Sequence, residues 1–135
     1  MAVTKSSVAI GKKKSAKARA TVTKGTGCVR INSVELSKWG TMLERTLIQE
    51  PLSVISNVSK DLDISVNVTG GGALGQAAAS RTAISKAIVK FTGKEDVKKM
   101  LIEYDDKILA GDSRQREPYK PGDSSPRSRR QKSYR

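Results

Sequence analysis

Apolar and polar positions alternate with a period of two along Ala16-Lys17-Ala18-Arg19-Ala20-Thr21-Val22-Thr23, the rhythm of a strand that buries one face. Its exposed face would carry Lys17, Arg19, Thr21 and Thr23. Lys24-Gly25-Thr26-Gly27 reads as a hairpin turn, and Cys28-Val29-Arg30-Ile31-Asn32 as the returning strand, extending toward Leu36. The cleanest alternation lies further on. Leu62, Ile64, Val66 and Val68 face inward, while Asp63, Ser65 and Asn67 face outward, until Gly70-Gly71-Gly72 ends the strand.

Between these strands the rhythm becomes helical. Thr41 and Glu44 have the spacing of a capping box, so a helix starts there and runs to about Gln49. Pro51 is expected to stop it, because a residue before proline avoids the helical region. Leu52 to Ser56 reads as a further helical turn. After the glycines, Leu74, Ala77, Ala78, Ile84, Ala87, Ile88 and Phe91 form one apolar stripe of a long helix that Gly93 closes. A last helix, from about Glu95 to Tyr104, would bury Val97, Met100, Leu101 and Tyr104. Trp39 and Phe91 read as core residues and Cys28 as a small strand hydrophobe. The order strand, strand, helix, strand, helix, helix predicts an α+β domain of two layers over residues 12–110. Residues 1–11, small and polar, are expected to be a flexible N-terminus.

Composition changes the picture at both ends. The 135 residues suffice for one domain, 36% of them are hydrophobic, and the formal net charge is +13. From Lys5 to Arg30 there are cations and no acid. From Asp112 to Arg135 there is no Leu, Ile, Val, Met, Phe or Trp, but Arg114, Arg116, Lys120, Arg127, Arg129, Arg130, Lys132 and Arg135 stand against Asp112, Glu117 and Asp123. Such a segment cannot offset its ordering entropy by burial, so 111–135 is expected to be an extended basic tail that orders only on a polyanion. A basic tail on a small domain points first to nucleic acid. One Phe, one Trp and three Tyr leave little for stacking single-stranded bases.

Several function classes drop out. The chain has no His and a single Cys, which excludes an internal disulfide, a zinc site and His-dependent nucleophilic catalysis. There is no apolar run of signal or membrane-span length, so the chain reads as soluble and intracellular, with no membrane partner. Gly70-Gly71-Gly72-Ala73-Leu74-Gly75 contains GxGxxG between a strand and a helix, and Glu95 lies near the ribose-acid spacing of a dinucleotide fold. That reading fails because no second parallel strand follows the helix, so no cofactor and no small-molecule substrate is expected. Two readings of the glycines remain open. One is a strand-to-helix turn needing positive φ; the other is a backbone cradle for a nucleic-acid phosphate, with Gln76 adding its amide. Lys12, Lys13 and Lys14, with Lys17, Arg19 and Lys24, read as one basic stripe along a strand face.

The ordered set Gly11-Lys12-Lys13-Lys14-Ser15-Ala16-Lys17-Ala18-Arg19-Ala20, Arg30-Ile31-Asn32, Glu50-Pro51-Leu52, Val66-Asn67-Val68-Thr69-Gly70-Gly71-Gly72, Gly75-Gln76 and Arg129-Arg130-Gln131-Lys132-Ser133-Tyr134-Arg135 resembles small-subunit ribosomal protein nine. The match runs in order over about residues 10–135. Ala110-Gly111-Asp112-Ser113-Arg114 and the Ser-Tyr-Arg ending are similar to the archaeal and eukaryotic branch. The resemblance implies a fold like the second domain of ribosomal protein five, with a left-handed βαβ crossover. It also implies a structural, non-enzymatic role in the cytoplasm, in the head of the small subunit, on the 3′ domain of its RNA and beside neighbouring ribosomal proteins. By resemblance, Lys12, Lys13, Lys14, Lys17, Arg19, Lys24, Gly70, Gly71, Gly72, Gln76 and Arg81 contact that RNA. So do Arg114, Arg116, Lys120, Arg127, Arg129, Arg130 and Lys132, while Tyr134 and Arg135 reach the anticodon stem-loop of the peptidyl-site tRNA. The alternative in another class is a free basic nucleic-acid-binding regulatory module.

Overall fold

The computed structural model describes residues 5–122 and 125–128. Five strands form one sheet: β1 (Ser6–Lys13), β2 (Ala16–Lys24), β3 (Val29–Ile31), β4 (Val34–Glu35) and β5 (Leu62–Thr69), in the spatial order β1-β2-β5-β3-β4. Helix α1 (Met42–Val54), the short α2 (Ser56–Ser59), α3 (Ala73–Thr92) and α4 (Glu95–Tyr104) complete the α+β domain. Ala16, Ala18, Ala20 and Val22 of β2 and Leu62, Ile64, Val66 and Val68 of β5 are buried, with Ile48, Ile84 and Ile88 of the helices in the same core. The opposite sheet face bears Lys17, Arg19, Ser65 and Asn67 and is open to solvent.

β1 overturns part of the flexible N-terminus. Residues 6–13 pair antiparallel with β2 along their length, from Ser6 opposite Thr23 to Lys13 opposite Ala16. Their polarity is inverted, which hides the strand: Ser7 and Gly11 face the core, while Val8 and Ile10 face solvent. Small inward residues are what the packing needs, because α3 approaches the sheet with Ala79, Ala83 and Ala87. Ser7 Oγ donates to the Ala87 carbonyl at 2.7 Å. A Cβ on Gly11 would lie 2.6 Å from the Ala83 backbone nitrogen.

The expected hairpin between β2 and β3 is corrected. The hairpin is β1–β2, turning at Lys14 and Ser15, and β5 lies between β2 and β3. β2 pairs antiparallel with β5, and β3 pairs with β5 in parallel. Residues 25–28 instead wrap the start of β5. Asp63 accepts the Thr26 amide at 2.8 Å and the Cys28 amide at 3.0 Å, and these bonds hold its carboxyl below the usual range.

Asn32 and Ser33, both with positive φ, make the two-residue turn into β4. The Asn32 side chain extends the ladder: its amide donates to the Val68 carbonyl at 3.1 Å and its oxygen accepts the Val68 amide at 2.8 Å. Asn32→Ala is expected to cost about 2–3 kcal/mol, since two groups at the end of β5 lose their partners. Urea unfolding reads this directly, and a loss below about 0.5 kcal/mol would refute the assignment.

Helix α1 begins as expected, with the Glu44 carboxylate accepting the Thr41 amide at 2.8 Å. It does not stop before Pro51 but runs through it to Val54. Proline removes one helical hydrogen bond, yet its ring is buried and Ile48 and Ile55 beside it are also buried, so packing holds the helix together. Three expected core residues are exposed: Leu74 at 53%, Met100 at 47% and Tyr104 at 53%. Leu74 and Tyr104 sit at helix ends, whereas Met100 lies in the middle of α4 on its exposed side. Trp39 and Phe91 are half-buried against the core, and Gly93 closes α3 at φ 64°. The core extends past α4 to Ile108.

Candidate nucleic-acid interface

Pleating divides the three-lysine run. Lys12 pairs with Lys17 and shares its side of the sheet, whereas Lys13 pairs with the buried Ala16 and lies on the helix side. Lys14 occupies the turn at φ 52°. The single stripe expected from the sequence is thus two surfaces meeting at the hairpin tip. Arg19 continues the open face opposite Asn67, and Arg30, which the sequence did not single out, joins it opposite Ser65. Lys24 is exposed at the far end of β2, about 23 Å of strand from Lys17.

Beyond α4 the chain returns to the hairpin tip. One Asp112 oxygen accepts the Lys14 amide at 3.0 Å. The other accepts the Arg114 amide at 3.1 Å and Arg114 Nε at 3.0 Å. The Arg114 guanidinium and these amides hold the Asp112 carboxyl far below the usual carboxylate range, so it is charged at any working pH. Asp112 thereby brings residues 114–116 against the hairpin. Lys12, Lys14, Lys17, Arg114 and Arg116, with Ser15 and Gln115, line a cavity of about 640 Å³ with no acid in its wall.

On the helix side, Lys13, Lys14 and Ser15 border a second cavity of about 600 Å³, floored by Gly71, Gly72, Gly75, Leu74 and Leu47. Here the two readings of the glycines separate by position. Gly70 and Gly71 have φ of 76° and 66°; a Cβ on Gly70 would meet the Ser15 carbonyl at 2.7 Å, and one on Gly71 the Ala16 nitrogen at 3.0 Å. Those two are required by the turn itself. Gly72 has an ordinary φ of −96°, caps α3, and has nothing within 4 Å of a built Cβ. It is the glycine whose bareness the fold does not need. Gln76 donates its side-chain amide to the Gly70 carbonyl at 3.2 Å and braces the turn.

Arg81 stands apart from the other expected contacts. It pairs with Glu50 at 2.9 Å and Asp105 at 3.0 Å, tying α1, α3 and the end of α4 together, and its side chain is only 19% exposed. Two carboxylates already match its charge. Farther along, Arg116 lies 4.6 Å from the Tyr119 ring centre, Arg127 pairs with Glu117 at 2.6 Å, and Lys120 is exposed. Both contacts are solvent-exposed and worth little each. Arg129, Arg130, Lys132, Tyr134 and Arg135 lie outside the described residues. Asp112 was missed as an organiser because its partner Lys14 is 98 positions away and no local pattern marks the pair.

The arrangement offers cations, amides and hydroxyls around concave surfaces, with no acid–base pair aimed into either. A family model described as ribosomal protein S9/S16 matches residues 11–135. The chain is 44% identical over 128 residues to small ribosomal subunit protein uS9 of Methanococcus vannielii, covering 93% of this chain and 96% of that protein. It is 43% identical to the uS9 of Pyrobaculum aerophilum, covering 95% and 90%. For the uS9 of Thermoplasma acidophilum the identity is 42%, covering 95% and 99%.

Proposed function

Because the chain belongs to the ribosomal protein S9/S16 family, it is a structural constituent of the small ribosomal subunit rather than an enzyme, and we propose that it holds ribosomal RNA through its hairpin tip, its glycine turn and its basic tail. The observation that carries this is the convergence of Lys12, Lys14, Lys17, Arg114 and Arg116 on one acid-free cavity. Charge concentrated in that way binds phosphate backbone with little regard to base sequence. The free regulatory module loses ground to a family match that runs across nearly the whole chain.

In this reading Lys12, Lys14, Lys17 and Arg19 meet RNA on the open side of the sheet, and Lys24 meets it at the far end. Lys13 and the amides around Gly72 meet it on the helix side, where the first N–H groups of α3 have no helical partner. Arg81 serves the domain's own cohesion. The RNA is the 3′ domain in the subunit head, with other head proteins as neighbours. We propose that the parallel β3–β5 pair, joined through α1, is the βαβ unit of a fold like the second domain of ribosomal protein five, with the left-handed crossover that the resemblance implies.

Beyond the acid-free cavity, Lys120, Arg127, Arg129, Arg130 and Lys132 neutralise phosphates, and Tyr134 and Arg135 touch the anticodon stem-loop of the peptidyl-site tRNA. Guanidinium suits that end because its planar fork grips phosphate in two bonds. Deleting Gln131–Arg135 is expected to leave subunits assembled and to weaken peptidyl-site tRNA binding by about tenfold or more, the lower end of one charge-assisted phosphate contact. Filter binding of tRNA to subunits carrying the shortened chain measures this. Unchanged affinity would remove the tRNA role.

A further inference from the structure

We propose that the hairpin tip and residues 112–116 form one preorganised cleft for a segment of RNA backbone, and that Asp112 is the positioning residue that holds its two walls together. The inference rests on the RNA-binding reading above and deepens it. Lys12, Lys14 and Lys17 come from the β1–β2 hairpin, while Arg114 and Arg116 come from a segment with no helix or strand of its own. Nothing in residues 114–116 is buried, so hydrophobic packing does not hold them in place. Asp112 does: its side chain is 10% exposed, one oxygen takes the Lys14 amide, and the other takes the Arg114 amide and Nε. The acid is thus spent on the protein's own donors and is absent from the cavity wall.

The cavity also indicates the chemistry of its occupant. Its 640 Å³ lies in the range of pockets that take a whole small ligand, so it suits a stretch of backbone rather than one phosphate oxygen. The wall offers ammonium, guanidinium, hydroxyl and amide groups and no aromatic ring, which fits phosphate and ribose and leaves bases unread. Holding both walls in place before binding removes part of the ordering cost that a free basic segment would meet on the RNA.

Asp112→Asn tests the sign of the effect. It raises the formal net charge from +13 to +14, so charge alone predicts tighter binding to RNA. Loss of the clamp predicts the reverse. With the full chain and in vitro transcribed small-subunit RNA, the variant is expected to bind about tenfold more weakly at physiological salt. Its log–log salt slope should be shallower by roughly two, as Arg114 and Arg116 disengage. Tighter or equal binding with an unchanged slope would overturn the clamp. A second measurement leaves Asp112 untouched: Lys17→Gln and Arg116→Gln should each weaken binding and combine non-additively, because both walls hold the same segment. Additive losses would overturn the shared cleft alone. If neither variant weakens binding, the RNA reading of this surface fails and the cleft with it.

Discussion

Replacing Arg114, Arg116, Lys120 and Arg127 together by glutamine is expected to lower affinity for small-subunit RNA roughly a thousandfold at physiological salt, with the domain still folded. Each phosphate neutralised contributes close to one unit of log–log salt slope, so the slope should fall by about three to four. The contacts Arg116 and Arg127 make in the free protein do not protect them. The pair of Arg127 with Glu117 and the approach of Arg116 to Tyr119 are exposed, and phosphate replaces them at small cost. Folding should survive because the core ends at Ile108, with Leu109 packed against it. Titrations across a salt series, beside a thermal melt, separate the two quantities. A loss under tenfold with an unchanged slope would place the RNA contacts elsewhere on the chain.

Gly11→Val is expected to destabilise the domain by more than about 3 kcal/mol, enough to leave a small domain largely unfolded. Gly11 is buried where β1 crosses α3, and a Cβ there would come within 2.6 Å of the Ala83 nitrogen. The obstacle is helix backbone, which cannot swing aside as a side chain does. Relief requires lifting α3 off β1 and β2, which would open the small-residue interface of Ala79, Ala83 and Ala87. Urea unfolding of the variant against the parent gives the difference. A cost below about 1 kcal/mol would mean that the helix is not seated on this strand.

The same interface explains what the sequence hides. β5 and the exposed residues of β2 are legible because large aliphatics or alanines alternate with polar groups. β1 is not, because its inward-facing positions are Ser7, the half-buried Ala9 and Gly11 and its exposed ones include Val8 and Ile10. A missed first strand then misassigns the second: with β1 unseen, β3 looked like the natural partner of β2. Pro51 misleads for a related reason, since local backbone preference marks a stop that burial of its ring overrides. Leu74 and Met100 satisfy a helical period yet face solvent, because periodicity gives a stripe but not the extent of what covers it.

At the candidate interface, residue type was legible and arrangement was not. Charge density marks Lys12 to Lys17 and the tail as basic, yet only the pleat divides Lys12 from Lys13. Only the fold converts Arg81 from a surface cation into the link between Glu50 and Asp105. The glycine run divides by position. Gly70 and Gly71 answer to backbone geometry, while Gly72 remains open ground beside the first turn of α3. Asp112 is the case furthest from local pattern, an acid in a basic tail that binds the Lys14 backbone amide and the Arg114 guanidinium.

Sedimentation of an extract from cells that make this chain, before and after a high-salt wash, tests most directly whether it is an integral part of the small subunit. Phosphate contacts weaken steeply with salt, but a domain and tail held at many points by RNA leave slowly. The expected result is a chain that stays with the small-subunit peak through the wash. A chain found free at the top of the gradient before any wash would contradict a structural place in the subunit.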